Sequence, residues 1–205
     1  MRNRIVRAGG LAVFAGLLVA GLTAAGEDKP AQSKLTPEQQ KMMEVWSKLA
    51  TPNENHKALE PMVGTFDAKV TSWAGPGQPP EVTTGVSTNT WVLGGRFVQQ
   101  VMDGTEMGQP FHGIGFTGYD NFKKEYTAVW MDNMGTMTLW MTGSAEDGGK
   151  TFKFAGTMDD AMSGKPAHLR SVTRVIDNSH HVYEMYGPDP SGHEVKMLEI
   201  AYTRR

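Results

Sequence analysis

The chain has 205 residues, with 20 Lys and Arg against 22 Asp and Glu, 24 Gly, 14 Met, no Cys and 39% hydrophobic residues. That length suits one domain, or at most two, with ample material for a core, and a formal charge of −2 lacks the basic excess of a general nucleic-acid binder. Without cysteine, disulfides, thiolate metal sites, thiol nucleophiles and lipidated cysteines are all excluded.

Arg2, Arg4 and Arg7 open the chain, an apolar run follows from Ala8 to Leu22, and small residues come next at Thr23, Ala24, Ala25 and Gly26. This is the layout of a secretory signal peptide. The run of 15 residues is shorter than the roughly 20 that a spanning helix needs. Residues 1–25 are therefore expected to be a signal peptide cleaved after Ala25 or Gly26, the alternative being an uncleaved N-terminal anchor. Its removal takes three arginines and no acid, which leaves 17 basic against 22 acidic residues. No second apolar run of spanning length follows, so the expected product is a soluble, acidic protein exported to the periplasm or the medium. It folds without oxidation.

Residues 26–35 are polar and contain a proline, the composition of a flexible leader. The remainder, 36–205, is expected to be a single domain. Thr36-Pro37-Glu38-Gln39 reads as a helix start: Thr36 caps, Pro37 fits the first helical position and Gln39 completes a capping box. Met42, Met43, Trp46 and Leu49 recur at helical spacing and give one apolar stripe. Thr51-Pro52-Asn53 ends the helix near Ala50.

Everything after that reads as strands rich in Val, Thr and aromatics: Met62–Trp73, Glu81–Leu93, Arg96–Asp103, Phe111–Tyr119, Lys123–Met131, Thr136–Gly143, Thr151–Met158, His168–Ile176, His181–Tyr186 and Glu194–Thr203. Turn clusters such as Gly94-Gly95, Asp120-Asn121 and Asp147-Gly148-Gly149 punctuate them. The spacing leaves no room for crossover helices, so the pattern predicts an all-β, antiparallel sandwich or barrel. A meander of about ten strands that closes on itself removes its own edges, which favours the barrel.

Alternation assigns faces. Tyr126, Ala128 and Trp130 share one side, Phe152 and Phe154 oppose Thr151 and Lys153, and Leu198, Ile200 and Tyr202 oppose Met197, Glu199 and Ala201. The last strand is apolar on both sides except at Glu199, so part of both faces is expected to be covered. The N-terminal helix, packing over the barrel or plugging one end, is the candidate cover.

Several segments resemble an uncharacterised, mostly bacterial family known as domain of unknown function 1579. They are Glu54-Asn55-His56, Gly64-Thr65-Phe66, Ser87-Thr88-Asn89 with Trp91, Leu93-Gly94-Gly95-Arg96-Phe97, Gly115 through Asp120, Trp130 through Gly135, and Glu199 through Arg204. The resemblance covers residues 53–205 and implies a lipocalin-like (calycin-type) β-barrel, with no established activity, substrate or catalytic set. Where such barrels often open on Gly-x-Trp, this chain has Gly64-Thr65-Phe66, so no indole N–H is available at that position. Related barrels include some that hold haem through one histidine.

The polar residues narrow the chemistry. His180 and His181 point to opposite strand faces and cannot chelate one ion together, whereas a hairpin could bring His193 beside His181. Met131, Met134, Met137 and Met141 form a cluster that suits either Cu(I) or, more simply, an adaptable barrel lining. Arg96, Arg170, Arg174, Glu184 and Glu199 interrupt apolar strands; facing inward, they would need partners across the barrel. No nucleophile elbow, zinc-helix motif, phosphate loop or dinucleotide fingerprint occurs. Glu199 with Tyr202 and Asp132 with His112 could be written as acid/base pairs, but their spacing specifies nothing. The reading is thus non-catalytic binding of a small apolar or amphipathic ligand inside the barrel, with no cofactor, metal or nucleic acid. Trp91, Trp130, Trp140 and Tyr126, with Phe97 and Met131 or Met141, are the expected wall, and Arg96, Arg170 and Glu199 the expected polar anchors. A side-chain-filled structural module, and an enzyme or soft-metal or haem handler, are the alternatives.

Overall fold

The computed structural model of the protein describes residues 35–75, 77–160 and 164–205. The expected signal peptide, 1–25, and all of the leader except Leu35 lie outside the described residues.

The first element, α1 (Pro37–Ala50), starts as its sequence dictates: Gln39 N donates to Thr36 Oγ1 at 3.2 Å and Thr36 N donates to Gln39 Oε1 at 2.8 Å. Its role differs from the expected one. No residue of α1 is buried, and Met42, Met43, Val45 and Trp46 are exposed. The helix is tied down at its C-terminal end, where the Asn121 side chain donates to the carbonyls of Leu49 and Thr51 at 2.9 Å each. It neither covers the last strand nor plugs the barrel.

The next stretch makes the plug. Asn53 caps a single turn, α2 (Glu54–Lys57), and a 3₁₀ helix follows at Glu60–Met62. Between them Leu59 is fully buried. The polar groups of this segment are satisfied by the barrel end that it closes. Tyr126 donates its hydroxyl to Asn55 O at 2.9 Å, Trp91 Nε1 donates to Glu60 Oε2 at 2.7 Å, and Asn89 Nδ2 donates to Met62 O at 2.7 Å. Arg204 reaches Val63 O at 2.7 Å and Pro61 O at 2.9 Å through its guanidinium. A short irregular segment can be buried here because nearly every donor finds a carbonyl.

Ten strands follow: β1 (Gly64–Ser72), β2 (Glu81–Val92), β3 (Phe97–Glu106), β4 (Gln109–Asp120), β5 (Glu125–Asp132), β6 (Leu139–Glu146), β7 (Thr151–Asp159), β8 (Pro166–Val175), β9 (His180–Pro188) and β10 (Glu194–Arg204). Each pairs antiparallel with its chain neighbours, and β1 pairs with β10, so the sheet is a closed barrel without free edges. The seam runs from Phe66 opposite Arg204 to Ser72 opposite Leu198. A register shift between Lys196 and Leu198 lets both Met197 and Leu198 pack against apolar neighbours, which explains why β10 is apolar on both sides.

The faces follow the predicted alternation. Phe66, Phe152, Phe154 and Tyr202 are buried on the inside, and the two apolar clusters meet there. One end, the floor, carries the Leu59 plug and the turns after β2, β4, β6 and β8. The other end, the mouth, carries the turns after β3, β5, β7 and β9. At the mouth, Met107 and Gly108 have φ of 48° and 72°, the backbone of a two-residue hairpin turn in the left-handed region. Among the described residues no helix is long and apolar enough to cross a membrane.

Candidate functional site

The barrel is not filled by its side chains. A cavity of about 560 Å³ runs from Leu59 and Met62 at the floor to Met107, Met134 and Met137 at the mouth, a volume within the range of small-molecule sites, roughly 300–1,000 Å³. Its middle is lined by Val98, Met102, Trp130, Met141, Phe154 and Ile200. Of the methionines expected to line the barrel, Met134, Met137 and Met141 do so, joined by Met102, Met158 and Met185. Met131, in contrast, turns outward and is 40% exposed. Unbranched thioethers give such a wall adaptable shape.

Trp130 is set by its neighbours on β4. A Cβ built on Gly113 would stand 2.2 Å from the indole, and one on Gly115 would stand 2.7 Å away, so the two glycines form the shelf on which the ring lies. The indole Nε1 donates to Asp132 Oδ2 at 2.9 Å, while Met134 N donates to Asp132 Oδ1 at 3.0 Å. One carboxylate thus fixes both the ring and the start of the β5–β6 loop.

Three polar groups mark the inside. Gln100 Nε2 donates to Ser87 Oγ at 2.9 Å and to Tyr202 Oη at 3.2 Å, and Ser87 Oγ donates to Asn89 Oδ1 at 2.8 Å. His181, 4% exposed, stacks on Tyr202 at 4.3 Å and meets the edge of Phe66 at 4.7 Å, yet its Nδ1 has no hydrogen-bond partner. Burial, and secondly the charge of Arg204, lower its pKa to about 4, so the ring is neutral at physiological pH. Near the mouth, burial pushes the Glu106 carboxyl up, with Glu81 and Asp132 adding like-charge repulsion.

The expected site residues divide between the two faces. Trp130 lines the cavity. Tyr126 and Trp91 belong to the inner apolar cluster but sit at the floor, bonded to the plug rather than to the cavity. Trp140 is 57% exposed on the outer face, paired with Val129 and Thr157, and Phe97 lies outside over Gly118. Arg96 occupies the β2–β3 turn and donates to Leu93 O at 3.0 Å. Arg170 is on the outer wall, bidentate to Glu194 at 2.8 and 3.1 Å and 3.9 Å above the Tyr186 ring. Glu199 is also outside, 2.6 Å from Lys196 Nζ.

Of the expected inward anchors, Arg96 is thus in a turn, Arg170 is paired on the outer wall, and Glu199 is part of an outer brace. Arg174 and Lys196 both bond Glu184, and Lys196 links it to Glu199. Burial raises the Glu184 pKa, but the hydrogen bonds from Lys196 and Arg174 outweigh that and hold it at about 2. Charged side chains cost less on the water side of the wall, and their strand parity places them there. The suggested pairs do not form either. His181 is inside while the His193 side chain is 81% exposed in the β9–β10 hairpin. Glu199 and Tyr202 face opposite sides, and His112 pairs with Asp103 at 2.7 Å, not with Asp132. Among the described residues no three His, Cys, Asp or Glu side chains gather as a metal site.

The cavity residues that matter most beyond Trp130 are His181, Glu106 and Asp132, none of which was among the expected binding residues. Parity could have found them: His181 alternates with Tyr183 and Met185, Glu106 with Met102, and Asp132 with Trp130.

No curated protein matches the chain. The solved structure titled Rv2717c from M. tuberculosis is similar with a TM-score of 0.57 at 15% identity, covering 76% of this chain and 99% of that one. It supports the barrel fold alone. A redesigned β-barrel aligns over 72% of this chain and 95% of its own, at 12% identity and a TM-score of 0.38. The model of a family described as a protein of unknown function, DUF1579, matches residues 51–204.

Proposed function

The chain belongs to the DUF1579 family of proteins of unknown function, and from that premise we propose that it binds a small, largely apolar molecule inside its barrel without converting it chemically. The observation that carries this reading is the cavity of about 560 Å³, walled by methionine and aromatic side chains and closed at one end by the Leu59 plug. A site that is concave, apolar and dotted with few polar groups suits capture of an apolar body and its orientation by one end. The signal-peptide layout of residues 1–25 supports a carrier acting outside the cytoplasm. The void weighs against a barrel filled only for stiffness.

Native mass spectrometry of freshly isolated, untagged protein tests the reading. A co-purified small molecule, or a rise in melting temperature with at least one apolar or amphipathic compound, is the expected result. Absence of both across alkyl alcohols, alkyl amines, fatty acids and isoprenoids would overturn it.

A further inference from the structure

The fixed charges of the cavity have one sign. Glu106 and Asp132 line it, and no Lys or Arg does. The cations of the neighbouring strands are committed outside: Arg170 to Glu194, and Arg174 and Lys196 to Glu184. Among the described residues neither Glu106 nor Asp132 has an ion-pair partner. Carboxylates drawn together at a partly dry mouth repel each other, and a positive charge placed between them relieves that repulsion. A carboxylate ligand would add to it.

A second feature also marks the cavity as built for an occupant. His181 Nδ1 is buried without a partner in the same cavity, deeper toward the floor. Native interiors rarely leave such an atom unpaired.

We propose that the occupant is a cationic amphiphile, an alkyl amine or quaternary ammonium whose charged end rests between Glu106 and Asp132 while its apolar body runs inward past Met102, Trp130 and Met141. This rests on the reading of the barrel as a binding cavity and adds the sign of the headgroup. Trp130 contributes twice: its ring is part of the wall, and its N–H holds the Asp132 carboxylate at the mouth. The exposed Met107, Met134 and Met137 form an apolar lip through which the body enters.

Chain-matched probes below their micelle thresholds test it by calorimetry on the intact protein: dodecyltrimethylammonium, dodecanol and dodecanoate. The ammonium is expected to bind about tenfold or more tightly than dodecanoate, with dodecanol between them. Glu106→Gln, which removes a carboxylate with no hydrogen-bond partner to lose, is expected to shrink that ratio at least threefold, roughly half of a tenfold preference on the free-energy scale. Dodecanoate binding as tightly as the ammonium overturns the headgroup assignment and leaves the binding cavity standing. Failure of all three probes overturns the headgroup assignment, and failure of the wider set of alcohols, amines, fatty acids and isoprenoids with it overturns the binding cavity. An ammonium preference unchanged in Glu106→Gln and in Asp132→Asn overturns the placement of the charge at the mouth.

Discussion

Replacing His181 with Phe should flatten the pH dependence of stability. The folded ring has a pKa of about 4 against an ordinary value of 6.5. Below 6.5 the unfolded chain takes up a proton that the folded chain refuses until about 4, so stability falls as the pH falls through this window. With those two values, about 2 kcal/mol is lost between pH 7 and pH 5, and about 3 kcal/mol once both states are protonated. The ring is 4% exposed, so solvent screening does little to reduce the effect. Arg204 is the charged group acting on it, while Tyr202 and Phe66 pack against its faces and stay neutral in this range. Phe preserves the aromatic packing and removes the titration. Urea unfolding at the two pH values is the assay, and a 2 kcal/mol loss corresponds to a midpoint shift of roughly 1 M. His56, also lowered by burial, contributes the same sign in both proteins and cancels in the comparison. If wild type and His181→Phe lose stability equally between pH 7 and 5, the buried imidazole is not the responsible group.

Other outcomes follow from the plug, the outer brace and the glycine shelf. Leu59→Ala, at a fully buried floor position, should cost about 2–5 kcal/mol in urea unfolding; a loss under 1 kcal/mol would mean that the floor does not support the barrel. Glu184→Gln should cost about 1–3 kcal/mol at neutral pH by replacing the carboxylate that Arg174 and Lys196 share with a neutral amide. Because the Glu184 pKa is depressed to about 2, its contribution is present above 4.5 and is lost as the pH falls from there through 2. Circular dichroism during acid titration should accordingly show a shallower acid transition in the variant. Gly113→Ala, whose Cβ would lie 2.2 Å from the Trp130 ring, should displace that indole at a cost of about 1–3 kcal/mol. An unchanged tryptophan emission spectrum and unchanged probe affinity would show that the ring has another resting place.

The strand pattern was almost wholly legible. Thr151–Met158 and Glu81–Leu93, for example, differ from β7 and β2 by a single residue at one end. Barrel closure also followed from strand number and the cost of open edges. The helix was legible as a helix but not in its role: an apolar stripe of Met42, Met43 and Trp46 reads as a core face, and nothing local says that residues 53–62 fill the floor instead. That plug is held by contacts from Asn89, Trp91, Tyr126 and Arg204, all distant in sequence. The charged residues were misplaced for a related reason. Arg170 and Glu199 share strands with apolar residues on both faces, so composition could not say which face was wet. Strict parity, anchored on Phe154 and Tyr202, places both outside. Trp140, expected in the wall, lies outside because its parity opposes that of the buried Met141.

The seam between β1 and β10 makes the fold a kinetic problem as well as an equilibrium one. On the side away from β2, residues 66–72 find their partner only in residues 198–204, almost the full length of the barrel away in sequence. The entropy of closing so long a loop grows only logarithmically, about 0.6 kcal/mol per doubling, and barely affects final stability. The rate is another matter, because folding slows as contacts become less local. During synthesis β1 therefore has no partner on one side until the last strand emerges. A chain ending before Glu194 would retain β1 and β9 as bare edges, the kind of template on which copies pair and aggregate. The C-terminal strand acts as a latch that delays completion of the barrel until the whole chain is present.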